Sequence, residues 1–235
     1  MERAIRFTRI YNFRDLGGYP TSDGRAVAWR RIFRSDDLSR LTVDDAERFA
    51  ALGIRTVIDL RRPTEVAELG RVPEFTGVDY RHAHVVYAPW GPEDYSDRAG
   101  RISYLTERYR EMATTGGEGF GLALRSIAEA EAAPLAVHCF VGIDRTGIVS
   151  ALTLSLLGVP DEVVAADYAL SEAAVPALLS ELNIQLTDLG VTPAEAMLNF
   201  LDALRAEHGS VEAYAKSIGI TDDHIAAMRA HLLTP

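Results

Sequence analysis

Apolar residues along the first half of the chain fall into short runs that predict buried strands, separated by segments with helical patterns. Residues 54–60 (IRTVIDL) and 134–138 (PLAVH) are nearly continuous apolar runs, and residues 78–85 (VDYRHAHV) alternate between polar and apolar positions. Helices are predicted over 41–53 and 146–158, each closed by a glycine at its end. This succession predicts an α/β fold in which helices cover a central sheet.

The second half of the chain is mostly helical in its pattern. Residues 86–118 open with a stretch rich in proline and glycine and continue as an amphipathic helix. The helical segments beyond it are 160–170, 174–186, 193–208, 210–219 and 222–233. We expect a single domain over residues 1–235, with a lid or insertion formed by segments around 86–118 and 160–208.

Composition and charge narrow the classes of function. The net charge of −10 argues against a nucleic-acid partner, which requires a basic face. A single cysteine excludes an intrachain disulfide and a cysteine-rich metal site. The first residues lack the apolar stretch of a signal peptide and no segment reaches membrane-spanning length, so we expect a cytoplasmic protein that does not insert into membranes.

The only cysteine lies in the segment HCFVGIDRTG, residues 138–147, between a predicted strand and a predicted helix. A strand that leads through a glycine-containing loop into a helix N-terminus forms an anion site, because backbone N–H groups and the helix end face the same point. Arg145 can bind two phosphate oxygens with its planar guanidinium. The helix end, the amides and Arg145 all favour the thiolate of Cys139, the form that attacks phosphorus.

The other residues of this segment are consistent with that chemistry. His138 can hydrogen-bond the backbone around the loop, the hydroxyl of Thr146 can donate to the sulfur, and Asp144 can act as general acid. The residues expected to contact the substrate, together with Arg145, are Phe140, Val141, Gly142 and Ile143. A buried structural cysteine is the alternative, which the pattern Cys-x5-Arg-Thr after an apolar strand disfavours.

HCFVGIDRTG resembles the active-site signature of cysteine-dependent tyrosine and dual-specificity phosphatases, and more narrowly that of an atypical bacterial branch with the pattern H-C-x-x-G-K-D-R-T-G. NFRDLGGY (12–19), FRSDDLSRLT (33–42) and VIDLRRPTE (57–65) match further segments of this branch in the same order. The resemblance implies a four-stranded parallel sheet, a helical lid and a phosphocysteine mechanism without metal or cofactor. By position, it makes Cys139 the nucleophile, Arg145 the phosphate ligand and Asp144 the acid.

Ile143 departs from the family pattern, which has lysine at this position. The family associates that lysine with multiply phosphorylated substrates such as phosphoinositides, and isoleucine removes its charge from beside the phosphate. We therefore expect a protein-tyrosine or dual-specificity phosphatase. The alternative is a phosphatase of a small phosphomonoester such as a nucleoside or sugar phosphate, since Ile143 can contact a ring. A non-catalytic phosphate-binding module is disfavoured, because the cysteine, the acid and the arginine are all present. A sulfurtransferase is disfavoured by the intact x5-Arg-Thr-Gly continuation after the cysteine.

Two further candidates come from other parts of the chain. The segment PWGPED (89–94) resembles a mobile acid-bearing loop of tyrosine phosphatases, which makes Asp94 or Glu93 an alternative acid, although a surface turn is favoured. His82 and His84 lie on one face of a predicted strand, but two histidines without a third ligand do not predict a metal site.

Supporting roles are expected at the end of the strand 54–60. Asp59 is expected to anchor the loop, and Arg61 or Arg62 to pair with Glu65. The polar residues of NFRDLGG are interpreted as a turn that buttresses the core.

Overall fold

A five-stranded sheet forms the centre of the computed structural model, which describes residues 2–88, 90, 97–181 and 192–234. Its strands are β1 (Arg14–Asp15), β2 (Ile32–Ser35), β3 (Thr56–Asp59), β4 (Asp79–His82) and β5 (Leu135–His138). They are arranged in the order β1-β2-β5-β3-β4, and all neighbours are parallel except β1 and β2. The four parallel strands implied by the resemblance are confirmed, and the antiparallel β1 adds a fifth.

The three predicted strands are confirmed as β3, β4 and β5, while β1 and β2 were not predicted. Strand β2 has the sequence IFRS, in which all four residues are buried. Its Arg34 and Ser35 interrupt the apolar pattern, because β2 supplies polar groups to a buried site as well as backbone to the sheet.

Helices surround the sheet and account for most of the second half of the described chain. They are α1 (Ala46–Ala50), α2 (Pro63–Leu69), α3 (Arg98–Thr115), α4 (Gly117–Ala128), α5 (Asp144–Leu157), α6 (Asp161–Ala169), α7 (Val175–Glu181), α8 (Ala194–His208), α9 (Val211–Ser217) and α10 (Asp222–Leu232). The amphipathic helix predicted within 86–118 is confirmed as α3, whereas α4 was not predicted. No helix in the described ranges is both long and apolar enough to cross a bilayer.

The helix predicted over 41–53 is shorter than expected. Residues Val43–Asp45 form a 3₁₀ turn, and only Ala46–Ala50 are α-helical. The carboxylate of Asp45 accepts hydrogen bonds from the hydroxyl of Thr42 and from the backbone of Thr8, both at 2.9 Å. Because Asp45 is fixed from both sides, the turn stays tight and the helix starts late.

The sheet separates two cores of unequal size. The larger core lies between the sheet and the helical second half, with α5 packed against β5 and β2. The smaller one lies on the opposite face, where Phe7, Phe13 and Phe49 pack around Phe33 and Val57. Burial on both faces explains why β3 and β5 are buried throughout, whereas the edge strand β4 is not.

Candidate active site

The segment with the single cysteine lies at the carboxyl end of β5, where the chain turns into the N-terminus of α5. Cys139 is 2% exposed, and its sulfur accepts a hydrogen bond from the Gly142 amide at 3.3 Å. Gly142 has φ +73°, and a Cβ placed there would lie 2.5 Å from the carbonyl oxygen of Ser35. Glycine is therefore needed both for the backbone angle and for the close approach of β2.

Arg145, in the first turn of α5, is held by Glu65 of α2. Its Nη1 and Nη2 atoms lie 2.7 and 3.0 Å from the two carboxylate oxygens, and Nη1 lies 3.4 Å from the carbonyl oxygen of Leu60. A guanidinium has five N–H groups, and the described residues bond three of them, which leaves Nε–H and one Nη2–H for a ligand within the described part of the chain. Burial opposes the charge of Glu65, but Arg145 and Arg62 lower its pKa to about 2. Glu65 thus fixes the guanidinium in one orientation.

The predicted pairing of Glu65 is settled in favour of Arg62. The Nε atom of Arg62 lies 3.2 Å from the carboxylate, which Arg62 shares with Arg145. Arg61 instead forms ion pairs with Asp59 at 2.7 Å and Asp37 at 2.9 Å.

Asp144 is half-buried at the start of α5 and bonded to a tyrosine of α3. The hydroxyl of Tyr109 lies 2.8 Å from Oδ1 of Asp144 and 2.6 Å from the hydroxyl of Tyr168 on α6. Burial raises the pKa of Asp144, while Tyr109, Arg145 and Arg101 oppose this shift. Burial and Asp144 raise the pKa of Tyr109, so the phenol keeps its proton and donates to the carboxylate.

His138 and Asp59 form a buried pair behind the loop. The Nδ1 atom of His138 lies 3.3 Å from the carbonyl oxygen of Cys139 and 3.4 Å from the Leu38 amide, and Nε2 lies 3.6 Å from Asp59. Asp59 also accepts a hydrogen bond from the Tyr80 hydroxyl at 2.9 Å. Burial opposes ionisation of Asp59, yet His138 and Arg61 lower its pKa. The contact between His138 Nε2 and Asp59 is longer than a hydrogen bond, so Asp59 acts on His138 electrostatically from behind the loop.

The remaining predicted residues differ in what surrounds them. The hydroxyl of Thr146 is buried without a hydrogen-bond partner in the described chain, and so the expected bond to the sulfur is not formed in this structure. The side chains of Phe140 and Val141 are partly exposed. Ile143 is also half-buried and packs against the larger core.

Of the two further candidates outside the loop, the structure describes only the two histidines. Asp94 and Glu93 lie outside the described residues. The rings of His82 and His84 are stacked with their centroids 6.1 Å apart. The Nε2 atom of His82 lies 2.8 Å from the carbonyl oxygen of Arg61, within hydrogen-bond distance. No group of three or more potential metal ligands occurs among the residues that the structure describes.

Sequence reasoning missed the contacts that Tyr109 and Asn12 make with the loop. Tyr109 is fully buried on the same face of α3 as Leu105 and Met112, and a tyrosine on an apolar face needs a partner for its hydroxyl. That requirement is a signal in the sequence, although it does not identify Asp144. Asn12 carries no comparable signal, and its amide donates to the carbonyl oxygen of Gly142 at 3.1 Å.

We expect Gly142→Ala to weaken the binding of inorganic phosphate by about tenfold or more. The added Cβ would displace the loop from Ser35 and break at least one charge-assisted hydrogen bond, an effect of about 1.5 kcal/mol. Isothermal titration calorimetry with phosphate checks this.

Gly77→Ala is the matched control for this change. Gly77 also has a positive φ, +64°, but a Cβ there would meet nothing within 4 Å. This variant should bind phosphate like the wild type. Equal weakening in the two variants would contradict the role assigned to the close approach at Gly142.

Comparisons with known proteins agree on one family. A model described as the tyrosine phosphatase family matches residues 5–234. The chain is 31% identical to the triple specificity protein phosphatase PtpB of Mycobacterium tuberculosis, over 95% of this chain and 96% of that protein. It is 28% identical to a tyrosine-protein phosphatase of Nostoc commune, over 91% of this chain and 78% of that protein.

Among solved structures, the core catalytic domain of the PP-IP phosphatase SIW14 from S. cerevisiae aligns over 87% of this chain and 96% of that chain. Its TM-score is 0.43 and its identity 14%. The family match extends over nearly the whole chain and includes the cysteine loop, the NFRDLGG segment and Glu65. The chain belongs to the tyrosine phosphatase family and is a protein-tyrosine-phosphatase-like enzyme.

Proposed function

We propose that the protein hydrolyses phosphotyrosine in proteins through a Cys139 thiolate and a phosphocysteine intermediate. The observation that carries the proposal is the buried sulfur hydrogen-bonded by the Gly142 amide at the N-terminus of α5. Arg145, oriented by Glu65, supplies to the phosphate the two N–H groups that no described residue bonds. The amides of residues 140–143 bind the remaining phosphate oxygens.

In the first step, the thiolate attacks phosphorus and the bond from phosphorus to the tyrosyl oxygen breaks. Asp144 gives its proton to that oxygen, which leaves as a neutral phenol. Burial favours this role, since it raises the pKa of Asp144 and keeps the proton in place toward higher pH. The charge on the transferring phosphoryl group is met by Arg145 and the helix end.

In the second step, water attacks the phosphorus of the phosphocysteine. The Asp144 carboxylate takes the proton from the water, the phosphorus–sulfur bond breaks, and inorganic phosphate leaves with the thiolate restored. We assign the Thr146 hydroxyl to the sulfur in this step, because it is buried without another partner among the described residues. His138, Asp59 and Arg61 support the loop from behind.

We propose one catalytic domain over residues 1–235, in which α3 and α6 cover the loop. The hydroxyl groups of Tyr109 on α3 and Tyr168 on α6 lie 2.6 Å apart, next to Asp144, which supports this covering role. A cytoplasmic location remains a prediction from the sequence. Because PtpB is called a triple specificity phosphatase, substrates other than phosphotyrosine peptides should be tested as well.

We expect Cys139→Ser to lower kcat for the hydrolysis of a phosphotyrosine peptide at least about a thousandfold, because the nucleophile is lost. Phosphate release is the measurement, with thermal unfolding as a check on folding. Full activity of the variant would disprove the mechanism. In the wild type, a kcat/KM for nucleoside or sugar phosphates above that for phosphopeptides would favour the small-molecule alternative.

Tyr109→Phe should move the basic limb of the kcat/KM profile to higher pH by about one unit. The Tyr109 hydroxyl favours ionised Asp144, and its removal leaves the effect of burial less opposed, so the pKa of Asp144 rises and the acid stays protonated to higher pH. The profile is measured with phenyl phosphate, whose poor leaving group needs the acid.

Two variants control this experiment. Asp144→Asn should remove the basic limb altogether. Tyr214→Phe removes another buried hydroxyl, which donates to the carbonyl oxygen of Ala113 on α3, and should leave the limb in place. A limb that stays fixed or moves to lower pH in Tyr109→Phe would refute the assignment of Asp144.

Ile143→Lys should raise kcat/KM for a doubly phosphorylated peptide about fivefold relative to a singly phosphorylated one. One added charge near a second phosphate, at a partly exposed site, contributes about 1 kcal/mol. Ile143→Met keeps the size without the charge and should leave this ratio unchanged. Equal ratios in the two variants would contradict a role for charge at position 143.

A further inference from the structure

The NFRDLGG segment lies directly behind the cysteine loop. The carboxylate of Asp36 accepts hydrogen bonds from the backbone N–H groups of Tyr11 and Asn12, both at 3.0 Å, and so fixes the backbone of this segment. Asn12 is 4% exposed, and its side chain points toward the loop. This buried side-chain amide therefore contacts the cysteine loop, which a residue that only closes a turn would not do.

The amide group of Asn12 bridges two successive carbonyls of the loop. Its Nδ2 atom lies 3.3 Å from the carbonyl oxygen of Val141 and 3.1 Å from that of Gly142. A side-chain amide has two N–H donors, one for each carbonyl. In a planar trans peptide, the C=O and the N–H point in opposite directions. Drawing these two oxygens toward Asn12 turns the Gly142 and Ile143 N–H groups away from it.

One of these two amides is the group that binds the nucleophile. The Gly142 N–H shares its peptide unit with the Val141 carbonyl and donates to the Cys139 sulfur at 3.3 Å. Asn12 thus contacts one end of the peptide whose other end holds the thiol. A donor on the carbonyl also polarises the N–H of the same peptide, which strengthens its bond to a thiolate.

The orientation of the Asn12 side chain is itself fixed. Nη1 of Arg14 donates to Oδ1 of Asn12 at 2.5 Å, so the NH₂ group must face the loop. Arg14 is held in turn by Asp167 of α6 at 3.0 Å and by the Ser171 hydroxyl at 3.1 Å. The contacts run from α6 through Arg14 and Asn12 to the loop.

We propose that Asn12 is a positioning residue that sets the direction of two loop amides and thereby stabilises the thiolate of Cys139, with Arg14 as its support. The proposal rests on the proposed function of the loop and extends it to a segment that the mechanism does not otherwise use. Asn12 touches neither the sulfur nor the phosphate, and acts through the peptides of residues 141–143.

The single cysteine of the chain permits a direct test. The rate of alkylation by iodoacetamide as a function of pH reports the thiolate of Cys139 alone and needs no turnover. We expect Asn12→Leu, which removes the two donors without adding charge, to move the midpoint of this profile up by about one pH unit. That shift corresponds to the loss of about one charge-assisted hydrogen bond.

Asn12→Asp provides a second variant of the same shape that Arg14 can still bind. It also lacks the donors, so its midpoint should rise at least as far, with its added negative charge acting in the same direction. Asn199, exposed on α8, is the matched control: Asn199→Leu and Asn199→Asp should keep the wild-type midpoint. Thermal unfolding and kcat are recorded for all four variants.

The possible outcomes separate the explanations. A lower melting temperature of Asn12→Leu with an unchanged midpoint would show a purely structural role and overturn the proposal. A shift only in Asn12→Asp would show a charge effect rather than amide positioning, and would also overturn it. If Asn12→Leu does not fold, an unshifted midpoint in Asn12→Asp is sufficient to reject the proposal. Full hydrolysis by Cys139→Ser would disprove the proposed function without affecting the alkylation result.

Discussion

The direction of the backbone amides between β5 and α5 is the constraint on which the rest of the structure depends. A loop whose N–H groups face one buried sulfur must turn its carbonyl groups the other way, and buried carbonyls need donors. The Phe140 carbonyl accepts from the Asp37 amide at 3.2 Å, and that of Gly142 accepts from Arg34 at 2.8 Å as well as from Asn12. The first forty residues thus supply hydrogen-bond donors to the carbonyl groups of a loop that lies a hundred residues later in the chain.

Two buried arginines beside the loop share one carboxylate. Arg14 and Arg34 are both buried and share the carboxylate of Asp167. The buried Arg61, in contrast, pairs with two carboxylates, those of Asp37 and Asp59. Burial and the neighbouring Arg14 lower the pKa of Arg34 to about 10, so it remains protonated at neutral pH. Burial opposes ionisation of Asp167, but both arginines lower its pKa. Arg14, Arg34 and Asp167 thereby form a buried ionised cluster that connects α6 to the segment behind the loop.

The surroundings of Glu65 and Asp144 shift the pKa values of these two carboxyl groups in opposite directions. Glu65 faces Arg145 and Arg62, which lower its pKa to about 2 despite burial, so it is ionised and serves as an anchor. Burial raises the pKa of Asp144, and one tyrosine hydroxyl and two more distant guanidinium groups oppose this shift. This difference is consistent with Glu65 orienting the arginine and with the proton-carrying role that we propose for Asp144.

The sequence alone determined the local parts of this protein. Apolar runs predicted β3 and β5, and an alternating pattern predicted β4. The spacing in HCFVGIDRTG singled out Cys139, Asp144 and Arg145 as candidates, because strand, loop and helix are adjacent in the chain. Only the tertiary structure decided the pairings between distant segments. Asn12 meets Gly142 across 130 positions and Arg145 meets Glu65 across 80, and neither pair leaves a periodic pattern in the sequence. Strand β2 was missed for the same reason: its polar residues are buried by contacts with distant residues, which local hydrophobicity cannot report.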